Sequence, residues 1–197
     1  MALTLPQRAQ EQLIGYVELL TRWNRTYNLT AIRDPLKIVT HHLLDSLAVI
    51  PHLPMSEGER LADAGSGAGL PGVAIAIARP AWQITLNDAN EKKVAFLRQA
   101  AIELELRNVA VHHGRAELWR AERSFAVVIT RAFAELARFI ACCRHLVAPR
   151  GVLAAMKGAY PRPELEGVPA GCACRVIPLI VPFLGAERHL VLCEVPD

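Results

Sequence analysis

The sequence predicts an α/β protein: a mostly parallel β-sheet with helices on both faces and a helical cap at the N-terminus. Three features carry that prediction. Short apolar runs alternate with amphipathic stretches from residue 60 to about residue 156. A small-residue loop, Gly65-Ser66-Gly67-Ala68-Gly69, follows the first of those runs, and two helical stretches precede it. Repeated strand–helix units imply parallel strands, because each crossover returns the chain to the same end of the sheet.

Apolar residues recur at helical spacing over residues 6–25 (Leu13, Val17, Leu20, Trp23), which predicts an amphipathic first helix. A second helical stretch covers 35–50 and is closed by Pro51. The first strand is expected at 60–64. A helix at 71–78 follows, with Pro71 at its first position, where a missing N–H costs nothing. A strand at 82–86 leads to a helix at 91–104 that places Val94, Leu97 and Ala101 on one face. Then come a strand at 109–112, a short helix around Glu117, a strand at 125–130, a helix at 135–147 and a strand at 151–156. After a link carrying Pro161 and Pro163, two β-like runs, 174–181 and 189–195, are joined through Gly185. They read as a hairpin that adds an antiparallel strand to the sheet. A single domain is expected over 1–197, with 1–58 as the cap and 59–197 as a Rossmann-like core, acting as a monomer.

Composition narrows the class. A chain of 197 residues, 52% apolar and 21% charged, is long enough for one buried core and too apolar for wholesale disorder. No apolar stretch approaches the roughly 20 residues of a membrane span. Residues 1–12 lack the pattern of a secretory leader, so the expected compartment is the cytoplasm, away from any membrane. The five cysteines, Cys142, Cys143, Cys172, Cys174 and Cys193, lack the paired two-residue spacings of a zinc site and are expected to be free and mostly buried. The pairs His41-His42 and His112-His113 invite a metal reading, but adjacent residues on a helix or strand point apart, so no metal is expected. A net charge of +3 permits an RNA partner without predicting one. Arginine makes up 18 of the 22 basic residues, a bias that base composition of the gene explains before any selection for phosphate binding.

The loop Asp63 to Gly69 carries the chemistry. In an open parallel sheet, ligands sit at the C-terminal ends of the strands, near the switch point beside the first strand. Small residues there let the backbone approach a ligand, and the amides that open the next helix favour an anion. A dinucleotide fingerprint needs glycine at the first, third and sixth positions; counted from Gly65, the sixth is Leu70, and the fingerprint fails. Alternating Gly65, Gly67 and Gly69 after a strand ending in Asp63 resembles instead the first motif of class I S-adenosylmethionine (SAM)-dependent methyltransferases. In that family the loop lies against the methionyl part of the cofactor, and the acid before it helps hold the ammonium. Asp88 ends the second strand, where a carboxylate can accept both ribose hydroxyls.

Methyltransferases of exocyclic amines carry an Asn/Asp-Pro-Pro-aromatic turn after the fourth strand; here that place reads Thr130-Arg131-Ala132-Phe133-Ala134. A cytosine-C5 enzyme needs a cysteine nucleophile in this region, whereas Cys142 and Cys143 fall inside the next predicted helix. The acceptor is therefore an atom that needs neither an amine clamp nor covalent activation.

Ordered blocks extend the likeness over nearly the whole chain. They are Trp23-Asn24 with Tyr27-Asn28-Leu29-Thr30; His42 with Asp45-Ser46-Leu47; Asp63 to Gly72; Lys92-Lys93 with Phe96-Leu97; Arg115 with Glu117; residues 130–134; Lys157-Gly158; and Glu187-Arg188-His189-Leu190. On these the sequence resembles the bacterial 16S rRNA guanine-N7 methyltransferase family known as RsmG, or glucose-inhibited division protein B (GidB). The resemblance implies a seven-stranded class I sheet, SAM as cofactor, and a guanine in the decoding-region loop of small-subunit rRNA as substrate, with 16S rRNA or the small ribosomal subunit as partner. It places Gly65 and Leu70 on the cofactor, Ala116 and Glu117 beside the adenine, Asp88 on the ribose and Arg131 at the cleft end of the fourth strand. Relatives often carry Asp after the Phe of that strand, where this chain has Ala126.

Guanine N7 offers a lone pair and carries no proton, so the chemistry calls for alignment rather than a general base. Phe133 is a candidate to stack on the guanine, and Arg131 to position cofactor or RNA. Arg115, Arg131, Lys157 and Arg188 fall at expected strand ends or loops on one side of the sheet and are the candidate phosphate contacts. Methylation of another RNA, a nicotinamide oxidoreductase on the same fold, and a non-catalytic SAM- or RNA-binding module stay open as alternatives.

Overall fold

The computed structural model describes residues 3–131, 133 and 135–194. Seven strands form one sheet in the order β3-β2-β1-β4-β5-β7-β6. They are β1 (Arg60–Ala64), β2 (Gln83–Asp88), β3 (Val109–His113), β4 (Phe125–Thr130), β5 (Val147–Lys157), β6 (Ala173–Pro178) and β7 (His189–Glu194). Strands β1 to β5 pair in parallel, and β7 enters antiparallel between β5 and β6. This is the predicted α/β sheet, and the hairpin supplies its antiparallel strand.

Two apolar clusters pack on the two faces of the sheet. Alternation along β4 shows the division: Val127 and Ile129 join one cluster and Val128 the other, while Phe125 falls beyond a register shift and joins Val128. The first cluster takes in the cap. Helix α1 (Gln7–Tyr27) buries Ala9, Leu13, Tyr16, Val17 and Leu20 along one stripe and ends where Asn28 turns left-handed at φ 49°. Its stripe lies on α4 (Gly72–Ala78), a helix buried on every side between α1 and the sheet. Asp34 caps α2 (Pro35–Ile38) through the Leu36 amide, and the helix runs on through a π-helical stretch, Val39–Leu44, into α3 (Asp45–Leu47). Helix α5 (Glu91–Glu103) packs on β2 and β3, capped by the Asn90 side chain on the Lys92 and Lys93 amides. Helix α6 (Leu136–Cys143) covers the other face.

Several expectations need correcting at element ends. Pro71 is the cap of α4 rather than its first residue, and the Leu70–Pro71 peptide is cis. The helix expected at 135–147 stops at Cys143, passes through a 3-10 turn (Arg144–Leu146) and yields to β5 at Val147, four residues before the expected strand. Val147 pairs with Phe125 across a register shift, so the strand extends by a bulge that no local pattern announces. The Pro161–Pro163 link holds a short helix, α7 (Arg162–Glu166). Cys174 and Cys193, expected to be free, are directly opposite across β6 and β7 and form a disulfide; Cys142, Cys143 and Cys172 are free. Among the described residues, no helix is long and apolar enough to cross a membrane, and no group of side chains is arranged to hold a metal.

Candidate active site

The switch in strand order beside β1 opens a cleft at the C-terminal ends of β1 and β4, and the Gly65–Gly69 loop stands there. Gly69 requires glycine twice over: its φ is 88°, and an added Cβ would lie 2.6 Å from Val73 Cγ2. Gly67 is also left-handed, at φ 58°, yet a Cβ there would meet only the Gly65 carbonyl, at 3.9 Å, so its bare side is open to a ligand.

Three buried side chains hold this loop. Ser66 donates from Oγ to the Asp63 carbonyl and accepts from the Asn87 amide, tying the loop to β2. Asp88 accepts from the Gly67 amide through Oδ2 (2.9 Å) and from the Asn90 amide through Oδ1 (2.8 Å). Each carboxylate oxygen has a second lone pair, so Asp88 keeps capacity for two hydroxyl donors. From the cap, the fully buried Tyr16 hydroxyl donates to the Ala68 carbonyl at 2.6 Å. Asp63 lies beneath the loop with no exposed surface. Its Oδ2 accepts from the Gly72 amide at 2.8 Å, and its Oδ1 has no hydrogen-bond partner among the described residues. Burial pushes this carboxyl up to about 7, against the opposing pull of the Gly72 amide and the Arg131 charge.

At the end of β3, Asn87 donates to the Gly114 carbonyl and to His112 Nδ1, and His112 stacks on Trp119 with ring centres 4.4 Å apart. The 3-10 turn Ala116–Leu118 follows, with Ala116 buried and Glu117 paired to Arg115 Nε at 2.8 Å.

On the other side of β1, a pocket of about 360 Å³ opens at the ends of β4 and β5. Its lining includes His41, His42 and Asp45 from the cap, and Arg131, Lys157 and Arg188 from the sheet end. Asp45 is the anchor, with its side chain 4% exposed. Arg188 Nε donates to Asp45 Oδ1 at 3.0 Å, and Arg131 lies 3.8 Å from Oδ2. His42 completes the group: Arg131 reaches its Nδ1 at 3.3 Å, and its Nε2 lies 2.8 Å from Thr30 Oγ1. Nδ1 also faces the His41 carbonyl at 3.1 Å, an acceptor opposite in kind to the Arg131 donor. Burial and the Arg131 charge pull His42 down to about 4, so the ring is neutral near pH 7. Asn24 bonds both backbone groups of Thr30, which links α1 through Thr30 and His42 to Arg131.

The predicted residues therefore separate into groups. Asp63, Gly65, Gly67, Gly69, Leu70 and Asp88 meet at one loop. Arg131 and Arg188 meet in the neighbouring pocket. Arg115 stands apart, joined to Glu117. Lys157 is turned inward, 10% exposed, with its ammonium on Glu164 Oε2 at 2.7 Å and on the Phe133 carbonyl at 3.1 Å. Phe133 packs against Phe139, with ring centres 5.3 Å apart. Ala132 and Ala134 of the turn after β4 lie outside the described residues. Sequence reasoning missed Tyr16 as a brace and His42 with Asp45 as a polar pair. The histidine pair is set aside as a metal site because neighbours on a helix diverge; both nevertheless line this pocket, from a π-helical stretch of the cap. The available signal was His42 and Asp45 three residues apart, on one helical face.

The family model described as rRNA small subunit methyltransferase G matches residues 9–191. A ribosomal RNA small subunit methyltransferase G of Laribacter hongkongensis is 50% identical over 192 residues, covering 97% of this chain and 90% of the relative. One from Burkholderia cenocepacia is 46% identical over 200 residues, covering 99% and 88%. Among solved structures, TrmN from Thermus thermophilus superposes with a TM-score of 0.59 at 20% identity, over 77% of this chain and 48% of that one. A ribosomal protein L11 methylase from Lactobacillus delbrueckii subsp. bulgaricus gives 0.59 at 16% identity, over 78% and 77%. The structures share the class I methyltransferase fold, and the family match settles membership: the chain belongs to the rRNA small subunit methyltransferase G (GidB) family, enzymes that methylate rRNA.

Proposed function

We propose that the protein transfers the methyl group of SAM to N7 of a guanine in the decoding-region loop of 16S rRNA. The observation that carries the cofactor reading is the braced loop at the switch point: an open left-handed Gly67 whose amide is held by Asp88, with spare acceptor capacity beside it. The donor set suits SAM. Asp63 beneath the loop suits a nearby ammonium, Asp88 suits a ribose diol, and the turn at Ala116 and Glu117 is the adenine contact of this reading. When bound, SAM supplies an electrophilic methyl on a sulfonium.

The residues of the chain then supply alignment and exclude water. Tyr16 and Ser66 fix the loop, so the methyl acceptor meets a site that need not reorganise. N7 carries no proton, and the reaction asks no side chain to remove one. The acceptor ring becomes cationic, and Arg131 is compatible with that because Asp45 and His42 hold its guanidinium. Arg188 at the pocket and Arg115 are the phosphate contacts of this reading. Lys157 instead holds the Phe133 segment.

The test is transfer of labelled methyl from SAM to small-subunit RNA, with the modified nucleotide mapped by N7-specific strand cleavage. One labelled guanine in the decoding-region loop is expected. Tight SAM binding without transfer to any RNA would sink the proposal.

A further inference from the structure

The pocket between the cap and the ends of β4 and β5 has a polarity that phosphate binding alone does not explain. At its base is a carboxylate, Asp45, flanked by two guanidinium groups. Its two oxygens are not equivalent: Oδ1 holds Arg188 Nε at 3.0 Å, whereas the partner of Oδ2 among the described residues is Arg131 NH1, at 3.8 Å, beyond hydrogen-bond length. The neighbouring ring, His42, is neutral near pH 7 and fixed by Thr30, so it adds no competing charge. A carboxylate with an under-used oxygen beside a guanidinium presents two acceptors and then a donor. The Watson–Crick edge of guanine presents two donors, N1–H and N2–H, and then an acceptor, O6. Adenine offers that carboxylate one donor, and hypoxanthine lacks the 2-amino group.

We infer that Asp45, with Arg131 beside it, is the specificity-determining pair that reads the Watson–Crick edge of the target guanine. The inference rests on the reading that the acceptor is a guanine. The volume of about 360 Å³ accommodates one purine nucleoside, and a base must leave its stack to be read on that edge. Holding guanine by N1 and N2 leaves N7 uncovered. It also sets a negative group against the ring that turns cationic, where such a group favours the transition state over the ground state. Asp45 thus acts in both selection and rate, and Arg188 fixes its carboxylate plane.

The experiment uses the full chain and three free nucleotides as probes: GMP, IMP and AMP, titrated at millimolar concentration by NMR with wild type and Asp45→Asn. Wild type is expected to bind GMP about tenfold or more tightly than IMP or AMP, in line with a bidentate base contact. Asp45→Asn is expected to bring GMP and IMP within about twofold, because a neutral amide loses the charge-assisted pair. Should Asp45→Asn fail to fold, wild type alone still decides. Equal binding of GMP and IMP, binding of AMP as tight as GMP, or binding of none overturns the inference, as does a GMP preference retained by a folded Asp45→Asn. Failure here leaves the methyl-transfer assay untouched. Transfer to guanine N7 with no nucleotide preference refutes only the role of Asp45, whereas absence of transfer refutes the wider reading.

Discussion

Asp63 illustrates how one residue can serve architecture and ligand together. One oxygen holds the turn into α4, and the other is buried without a partner, which raises its pKa to about 7. If the Asp63 anion supports the ammonium of SAM from beneath the loop, binding favours the anion, so below pH 7 each binding event also expels a proton. SAM affinity is then expected to rise with pH, approaching tenfold per unit well below pH 7, and to level off above it. Calorimetric titrations at pH 6 and pH 8 check this. Asp63→Asn should bind more weakly at pH 8 with little pH dependence, and an equally steep slope in that variant would refute the assignment. The loop residues were legible because glycine spacing and a strand end are local features. His42 and Asp45 were not, since their partners Arg131 and Arg188 lie 89 and 143 positions away and only the folded sheet brings them together.

Element order was readable for the same local reason, whereas element ends were decided by distant partners. The first residues of β5 read as the tail of a helix until pairing of Val147 with Phe125 makes them strand. Helix α7 escaped notice because five residues give too little periodicity, yet Glu164 on it does two jobs. It accepts from the Leu136 amide at the start of α6 and pairs with Lys157 at the end of β5. Lys157 in turn donates to the Phe133 carbonyl. This places Lys157 among the residues that shape the segment after β4, in contrast with its expected role on RNA. Lys157→Met should lower methyl transfer to RNA while leaving the slope of log affinity against log salt unchanged. A lysine on a phosphate would, when removed, reduce that slope by about 0.7 to 0.9. Filter binding at several salt concentrations separates the two, with Arg188→Gln as the variant expected to lose slope.

At the scale of the whole molecule, two buried titrating groups, one in the cap and one beneath the loop that the cap braces, have proton linkages that oppose each other. His42 sits on the cap side with its pKa lowered from 6.5 to about 4, so the fold favours the neutral ring. Its contribution is complete above pH 6.5 and is lost as pH falls towards 4, because the unfolded chain binds the extra proton. Asp63 lies under the loop that Tyr16 of the cap braces, with its pKa raised from 3.8 to about 7. There the native state binds the extra proton, so this contribution declines as pH rises from 3.8 to about 7. Asp45, raised mainly by burial, adds to the same side as Asp63. Across the shared window, from about pH 4 to 6.5, the slopes of His42 and Asp63 oppose each other, so removing either group should tilt the pH dependence of stability measured by urea denaturation. Removing one group exposes the other: His42→Gln should lose stability as pH rises through the window, and Asp63→Asn should gain it. The comparison uses slopes, so it holds even where each variant is less stable overall. Variants that tilt in the same direction would show that the cap and the cofactor loop are not set against each other in this way.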